Sequence, residues 1–134
     1  MIGHYLMFNG NCSEALVCYK SAFDAEIIEM QQYGDMPPNP DFPVSDAQKN
    51  LVLHARFTIC GTEIMCADAH ARSEPGSNMY VSISSTDGAY VQKAWDELKA
   101  GGKIYMALTP SFFAAAHGTL QDRFGVNWMF TVMK

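Results

Sequence analysis

The sequence predicts an α+β fold in which two modules, residues 1–76 and 77–134, repeat the same order of elements within a single domain. Three observations lead to this prediction. Each half contains one segment whose apolar residues recur at helical spacing. Each half also contains short segments rich in β-branched and aromatic residues, as strands are. The order is strand, helix and three further strands both times, so the duplication lies in the pattern of elements and not in visible sequence identity.

In the first half, the segment 4–8 (HYLMF) predicts a strand, and a helix is predicted to begin after Asn11. Asn11 is a favourable N-cap residue and Glu14 follows three positions later, which is close to a capping box. The segment 26–33 predicts the second strand. The segment 34–46 holds four of the six prolines, so it predicts a loop, and its length makes it a candidate lid.

The segments LVLHARFTIC and EIMCAD are predicted to form a hairpin around a two-residue turn at Gly61-Thr62. This register places Cys60 opposite Glu63 and directs its sulfur away from that of Cys66. The four cysteines form no CxxC pair and no zinc-ligand spacing, and we expect them to be reduced and partly buried.

The second half begins with a strand and a helix. Asp87 is the predicted N-cap of this helix and Gly101 its end, and its apolar face comprises Val91, Trp95 and Leu98. The predicted strands cover 79–84, 103–108, 114–121 and 126–133. In the last of them, Trp128 alternates with the residues that face the predicted cavity, and it is therefore predicted to pack in the core. His117 precedes Gly118 on the presumed strand or turn at 114–121, and a loop position is favoured over a catalytic role for it.

The charge balance excludes two classes of partner. The formal net charge is −5 and no run of Lys or Arg occurs, whereas nucleic acids and anionic membranes call for a basic patch. The N-terminus lacks the charged and apolar regions of a signal peptide, and no apolar stretch approaches the ~18–20 residues of a membrane span. We therefore expect a cytoplasmic protein that binds neither nucleic acid nor membrane.

Three motifs carry a family resemblance: FNGNCSEALVCYKSAF, GKIYMALTPSFF and DRFGVNW. They closely resemble the PhnB-like branch of the vicinal oxygen chelate superfamily, which includes glyoxalase I, extradiol dioxygenases and the bleomycin- and fosfomycin-resistance proteins. Phe113 stands where that branch more often has Trp. The resemblance covers essentially the whole chain. It implies two βαβββ modules whose curved mixed sheets surround a U-shaped cavity, and it implies a homodimer.

Members of this branch often carry the label of a demethylubiquinone methyltransferase. The sequence does not support that activity, because no Gly-rich nucleotide loop follows a first strand and opens a helix. A methyl-donor site of the Rossmann type would need such a loop.

The resemblance also implies four metal-ligand positions, on the first, fourth, fifth and eighth strands, where metal-dependent members carry His or Glu. In this sequence they fall on His4, Met65, Ser82 and Met129. Only His4 is a usual ligand, since a thioether suits Cu(I) better than Zn, Ni, Fe or Mn. We therefore expect no metal and no other cofactor; one divalent metal is the alternative.

Strand alternation predicts which side chains line the cavity, because residues two apart share a face and opposed residues share it too. The hairpin contributes a polar face, the first strand contributes an apolar one, and the fifth and eighth strands contribute the rest. The predicted ligand-binding residues are Phe8, His54, Arg56, Thr58, Met65, Ser82, Asn127 and Met129. An apolar surface with a few hydrogen-bonding groups is typical of a small-molecule site.

Two residues of this set suggest chemistry. Arg56 is suited to hold a carboxylate or phosphate through two parallel N–H bonds. His54, on the same face, is the candidate catalytic residue, as a general base. The alternative is that Arg56 is a solvent-exposed cation and His54 a surface strand residue.

Three functions are compatible with these residues. The first is a binding protein without metal chemistry, which takes a small, partly apolar, anionic metabolite. The second is a lyase, isomerase or dioxygenase type of enzyme, either metal-dependent or metal-free with His54 as base. The third is a dimeric scaffold with a vestigial cavity. We favour the first, because three ligand positions are lost while Arg56 and His54 share a face.

Overall fold

Eight strands and two α-helices follow one another along the chain in the order strand, helix, three strands, twice over. They are described by a computed structural model that covers residues 1–134. The chain folds as two compact units, Met1–Ser73 and Glu74–Lys134, each with one four-stranded mixed sheet and one helix. The predicted fold class, two βαβββ modules in an α+β arrangement, is thereby confirmed. Neither helix is long and apolar enough to cross a membrane.

The first unit has its strands in the order β1-β4-β3-β2, with β1 parallel to β4 and the other pairs antiparallel. A short 3₁₀ turn, Tyr33–Asp35, follows β2 and opens the proline-rich loop. The elements of this unit are β1 (Tyr5–Phe8), α1 (Cys12–Phe23), β2 (Glu26–Gln32), β3 (Val52–Ile59) and β4 (Thr62–Asp68).

The core of the first unit lies between α1 and the sheet. Tyr19 of α1 is fully buried, and its ring stacks on that of Phe57 with centroids 5.9 Å apart. Phe8 packs against the same tyrosine ring at 6.4 Å. The apolar residues of α1, which recur at helical spacing after Asn11, thus pack against the aromatic side chains on one face of the sheet.

The β3–β4 hairpin turns one residue earlier than its sequence predicts. Cys60 and Gly61 form the turn, with φ of 50° and 77°, and Ile59 stands opposite Thr62. A two-residue hairpin of type I′ needs positive φ at both central residues, and these two residues supply it. The predicted register was therefore wrong by two residues, and Arg56 lies opposite Met65. A shift of two leaves every side chain on its predicted face.

The N-terminus of α1 is capped by a distant residue. Asn11 occupies the N-cap position, but its side chain makes no capping hydrogen bond, so the predicted capping box is wrong. Instead, the buried carboxylate of Asp68 accepts the N–H of Cys12 at 2.9 Å through Oδ1 and the N–H of Val52 at 2.8 Å through Oδ2. One side chain at the end of β4 thus joins the helix, β3 and β4.

The second unit has its strands in the order β5-β8-β7-β6, with β5 parallel to β8. The Asp87 side chain accepts the N–H of Tyr90 at 3.1 Å, which confirms it as the N-cap of α2. The elements of this unit are β5 (Val81–Ser85), α2 (Gly88–Lys99), β6 (Lys103–Thr109), β7 (Ala116–Gln121) and β8 (Asn127–Val132).

Trp128 is fully buried in the core of the second unit, as its place on the apolar side of the last strand predicts. Its indole N–H donates to Oδ2 of the buried Asp122 at 2.9 Å. Phe130, on the same face of β8, stands edge-on to the ring of Trp95 in α2, with centroids 5.7 Å apart. The aromatic end of the chain is therefore held beneath the helix.

Candidate functional site

In each unit, the helix covers one face of the sheet. The other face carries no helix of its own unit, and we call these two surfaces the first open face and the second open face. The predicted site residues divide between them. His54, Arg56, Thr58 and Met65 belong to the first open face, and Ser82, Asn127 and Met129 belong to the second.

A row of four side chains crosses the first open face, one from each strand. The register places Tyr5 beside Met65, Met65 beside Arg56, and Arg56 beside Glu29. Met65 thus has a phenol on one side and a guanidinium on the other. Thr58 is the next residue of β3 on this face and stands opposite Glu63.

Arg56 is bound to two carboxylates. Its Nε donates to Glu29 Oε2 at 2.8 Å, and its Nη1 donates to Glu63 Oε1 at 2.5 Å. The hydrogen bonds that the guanidinium donates to Glu29 and Glu63 raise its pKa above the ordinary value. One cation and two anions leave a formal charge of −1 on this cluster. Arg56 is therefore not the unpaired cation that the sequence suggested.

His54 is paired with a residue that the sequence analysis missed. The hydroxyl of Tyr5 lies 2.9 Å from Nδ1 of His54, and the two rings are 5.7 Å apart. Burial of the Tyr5 phenol raises its pKa above the ordinary value, chiefly through desolvation. The phenol therefore stays protonated at neutral pH. Either group can donate the proton in this hydrogen bond, depending on the imidazole tautomer. The pair is suited to move a proton to or from a bound molecule.

The placement of Phe8 on the cavity side was wrong. Phe8 is 1% exposed and packs on Tyr19 beneath α1, while Leu6 stands opposite the buried Cys66. Since Tyr5 is opposite Met65, it is Tyr5 and Met7 that belong to the first open face. Local alternation could not reveal this, because it is the parallel pairing with the distant β4 that decides which side of β1 faces the helix.

His4 lies one residue before β1, and its carbonyl oxygen accepts the N–H of Met65 at 2.9 Å. Alternation places its side chain on the same side of the strand as Leu6, away from the side of Tyr5. The residue that the register brings beside Met65 is Tyr5.

Ser82 and Met129 are brought together as expected on the second open face, where they are partners across the parallel β5–β8 pair. Thr119 lies on the other side of Met129, in β7. A second polar row runs beside them and comprises Ser84, Thr131 and His117.

Asn127 has most of its hydrogen-bonding capacity occupied within the unit. It is 6% exposed, its Nδ2 donates to the carbonyl groups of Gly76 at 2.8 Å and Met79 at 3.1 Å, and its Oδ1 accepts the hydroxyl of Tyr105 at 3.2 Å. Asn127 thus ties the segment before β5 to β8. Only one acceptor position of its amide is available to a ligand.

His117 lies in β7 and not in a loop, so that prediction was wrong. Its Nδ1 is 3.0 Å from Oγ1 of Thr131, and its ring stands edge-on to that of Phe113 with centroids 5.0 Å apart. The sequence signal for this strand position is Gly118, the residue that follows His117. A Cβ on Gly118 would approach the backbone of Leu108 to 2.8 Å, so β7 needs glycine there to pair with β6.

In neither unit do three or more His, Cys, Asp or Glu side chains stand close enough together to hold a metal ion. Three of the four positions that the resemblance associates with metal ligands carry a thioether or a hydroxyl, those of Met65, Met129 and Ser82. His4 has the one imidazole of the four.

Three comparisons with known proteins agree with one another. The model of the family described as 3-demethylubiquinone-9 3-methyltransferase matches residues 1–131. The Escherichia coli K12 protein YjdN is 31% identical over 97% of this chain and 93% of its own length. The structure of protein PA1353 from Pseudomonas aeruginosa is 33% identical with a TM-score of 0.85, and the match covers 98% of this chain and 96% of that one.

Two further structures define the branch and the fold. A putative 3-demethylubiquinone-9 3-methyltransferase from Bacillus cereus, a PhnB protein, is 29% identical with a TM-score of 0.80 and 97% coverage of both chains. The fosfomycin-resistance protein FosX from Listeria monocytogenes shares the fold at 12% identity, with a TM-score of 0.66 over 100% of this chain and 93% of that one. Because the family model matches nearly the whole chain and these relatives agree with it, the chain belongs to the 3-demethylubiquinone-9 3-methyltransferase family, in its PhnB-like branch.

Proposed function

We propose that this protein binds a small, partly apolar metabolite on its first open face and does so without metal chemistry. The observation that carries the proposal is the row across the first open face, in which Met65 lies between Tyr5 and the ion-paired Arg56. An apolar side chain surrounded by placed polar groups is the usual composition of a small-molecule site.

The donor atoms argue against a divalent metal at the superfamily positions. Met65 and Met129 offer thioether sulfur, which is a soft ligand, and Ser82 offers a neutral hydroxyl. Zn, Ni, Fe and Mn are held in proteins by imidazole, carboxylate or thiolate. We therefore derive no step of the function from a bound metal.

The Arg56 cluster bears on the charge of the ligand. An anion that binds the guanidinium would lie beside two carboxylates, because Glu29 and Glu63 already accept its Nε and Nη1 hydrogen bonds at 2.8 Å or less. The cluster has a formal charge of −1, so it favours a neutral or cationic molecule over an anionic one. The proposed ligand is thus partly apolar, as the sequence analysis expected, but is not an anion.

A second candidate function is metal-free catalysis of a lyase or isomerase type. The hydrogen-bonded pair of His54 and Tyr5 favours it, because general acid–base catalysis needs two groups that can exchange a proton near the substrate. In this reading His54 is the base and the Tyr5 phenol positions the imidazole or returns the proton.

We also propose that the protein assembles as a homodimer. The outer strand β6 exposes two large apolar side chains, Ile104 (47%) and Met106 (57%), and Phe112 in the following turn is 93% exposed. Exposed apolar residues along a free strand edge favour association with another surface.

The experiment that tests these proposals is native mass spectrometry of the protein purified without a chelator, together with elemental analysis of the same sample. We expect a dimer mass, less than stoichiometric metal, and an additional small organic mass that is lost in His54→Gln. The matched control is His4→Gln, in which the organic mass is retained. Stoichiometric Zn, Ni, Mn or Fe that disappears in the control variant would refute the metal-free proposal.

A further inference from the structure

The proline-rich loop forms a partly open cavity that no sheet residue lines. Its volume is about 490 Å³, and its walls come from residues 33–49 alone, including all four prolines of the loop. Ligand pockets in proteins have volumes of about 300–1,000 Å³ and mostly apolar walls. None of these wall residues belongs to the first open face, so the cavity is separate from the site proposed above.

Two aromatic rings are held in a fixed arrangement at this cavity. Tyr33 and Phe42 stack with an interplanar angle of 9° and centroids 6.5 Å apart. The hydroxyl of Tyr33 donates to the carbonyl group of Asp68 at 2.9 Å. The backbone N–H of Tyr33 donates to the carbonyl group of Leu51 at 3.0 Å. The ring of His70 also packs against that of Phe42, with centroids 4.5 Å apart. A flat apolar surface is thus pre-formed and ordered by the fold.

The backbone of the cavity wall offers more hydrogen-bond acceptors than donors, and the side chains of Asn39 and Lys49 add donors to it. Proline has no N–H, so four wall residues contribute carbonyl oxygens only. The N–H groups of Gly34, Met36 and Phe42 are already bonded to carbonyl groups within the loop, at 3.0, 3.2 and 3.0 Å. The wall therefore suits a molecule that donates a hydrogen bond better than one that only accepts.

The charges around the cavity oppose an anion. The one ionic side chain in the wall is that of Lys49, and its Nζ is paired with Asp46 at 2.8 Å. The loop carries two further carboxylates, those of Asp35 and Asp41. With three acidic groups and one basic group in and beside the wall, the local formal charge is −2.

We propose that this cavity binds a neutral aromatic molecule with one N–H or O–H donor, of the size of an indole or a substituted phenol. The ring lies against Phe42 and the prolines, and the donor reaches a carbonyl oxygen of the loop. Face and edge contacts between aromatic rings stabilise such a complex beyond the burial of apolar area.

The test is an NMR titration of ¹⁵N-labelled full-length protein with indole. We expect saturable shift changes confined to the amides of residues 33–49 and of His70. N-methylindole, which has the ring without the donor, is expected to bind at least fivefold more weakly, and so is the anion indole-3-acetate. Equal affinity for indole and N-methylindole would overturn the donor argument, and an absence of saturable shifts in this loop would overturn the site.

Two variants locate the ring. Phe42→Leu keeps an apolar side chain but removes the aromatic surface, and we expect at least a fivefold loss of indole affinity. Phe112→Leu is the matched control, since Phe112 is exposed in the other unit, and its affinity should be unchanged. Unchanged affinity in Phe42→Leu would contradict the proposal. If that variant does not fold, intermolecular NOEs from indole to the Phe42 and Tyr33 rings of the native protein decide the question.

Discussion

The capping of α1 by Asp68 leads to a sharp prediction about stability. Both carboxylate oxygens of Asp68 accept backbone N–H groups, those of Cys12 and Val52, and neither N–H can rotate away from its partner. In Asp68→Asn, one of the two N–H groups faces an amide nitrogen, which is itself a donor. The variant therefore leaves a buried N–H unsatisfied, whichever way the new amide is oriented.

The magnitude follows from two losses. An unsatisfied buried N–H costs about 1–3 kcal/mol, and removal of a negative charge from a helix N-terminus costs about 0.3–1 kcal/mol. We expect Asp68→Asn to lower the free energy of unfolding by about 1.3–4 kcal/mol, a large part of the roughly 5–15 kcal/mol typical of a folded protein. Urea unfolding followed by circular dichroism measures this difference directly.

The matched control is Asn11→Ala. Asn11 stands at the N-cap of the same helix, where replacing a functioning cap costs about 0.5–2 kcal/mol, yet its side chain makes no cap bond and its buried Oδ1 has no hydrogen-bond partner. We expect this variant to change the free energy of unfolding by less than about 0.5 kcal/mol, the range of ordinary surface substitutions. If Asn11→Ala proved more destabilising than Asp68→Asn, the assignment of the cap would be refuted.

Other parts of the structure lead to three more predictions. The hydrogen bond to the thiol of Cys66, together with burial, raises the pKa of the Cys12 thiol. In the unfolded chain a cysteine thiol has a pKa of about 8.5. Above that pH only the unfolded chain loses this proton, so the free energy of unfolding should fall by about 1.4 kcal/mol from pH 7.5 to 9.5. In Cys12→Ala, urea unfolding at the two pH values should show a smaller fall, and an equal fall would identify another group. Gly118→Ala brings a Cβ within 2.8 Å of the backbone of Leu108, and overpacking of this kind costs about 1–3 kcal/mol in thermal unfolding. A double-mutant cycle of Trp128→Phe and Asp122→Asn should give a coupling energy of about 0.5–3 kcal/mol, because the indole N–H donates to that carboxylate; additive effects would contradict the hydrogen bond.

The features that local sequence predicts correctly are those decided by residues near one another in the chain. The cap of α2 by Asp87 joins residues three apart, and the burial of Trp128 follows from alternation within one strand. The hairpin faces were also predicted correctly in spite of the register error. A change of two residues moves the side chain of Arg56 along the sheet without turning it over, so it still points away from the helix.

The features that were missed depend on residues far apart in the sequence. The side of β1 that faces the helix is decided by its parallel pairing with β4, about sixty residues away, and no turn connects the two strands. For this reason Tyr5 lies on the first open face, where Phe8 had been predicted. The cap of α1 is a comparable case, because the accepting carboxylate of Asp68 lies 56 residues from Cys12. Nothing near Asn11 in the sequence indicates that its side chain makes no capping hydrogen bond.

The chemistry of the site is altered most by the partners of Arg56. From the sequence, an arginine on a polar strand face indicates an anion-binding group, and this inference needs the guanidinium to be unpaired. Glu63 becomes its partner through the hairpin, but Glu29 does so through β2, which has a bulge between Ile27 and Glu29. Without that bulge, alternation would direct residue 29 to the same side of β2 as residue 27, the side of Phe57 and the helix. One irregularity in an edge strand thus converts the neutral ion pair of Arg56 and Glu63 into a cluster with a formal charge of −1, and it changes the class of molecule that this face can accept.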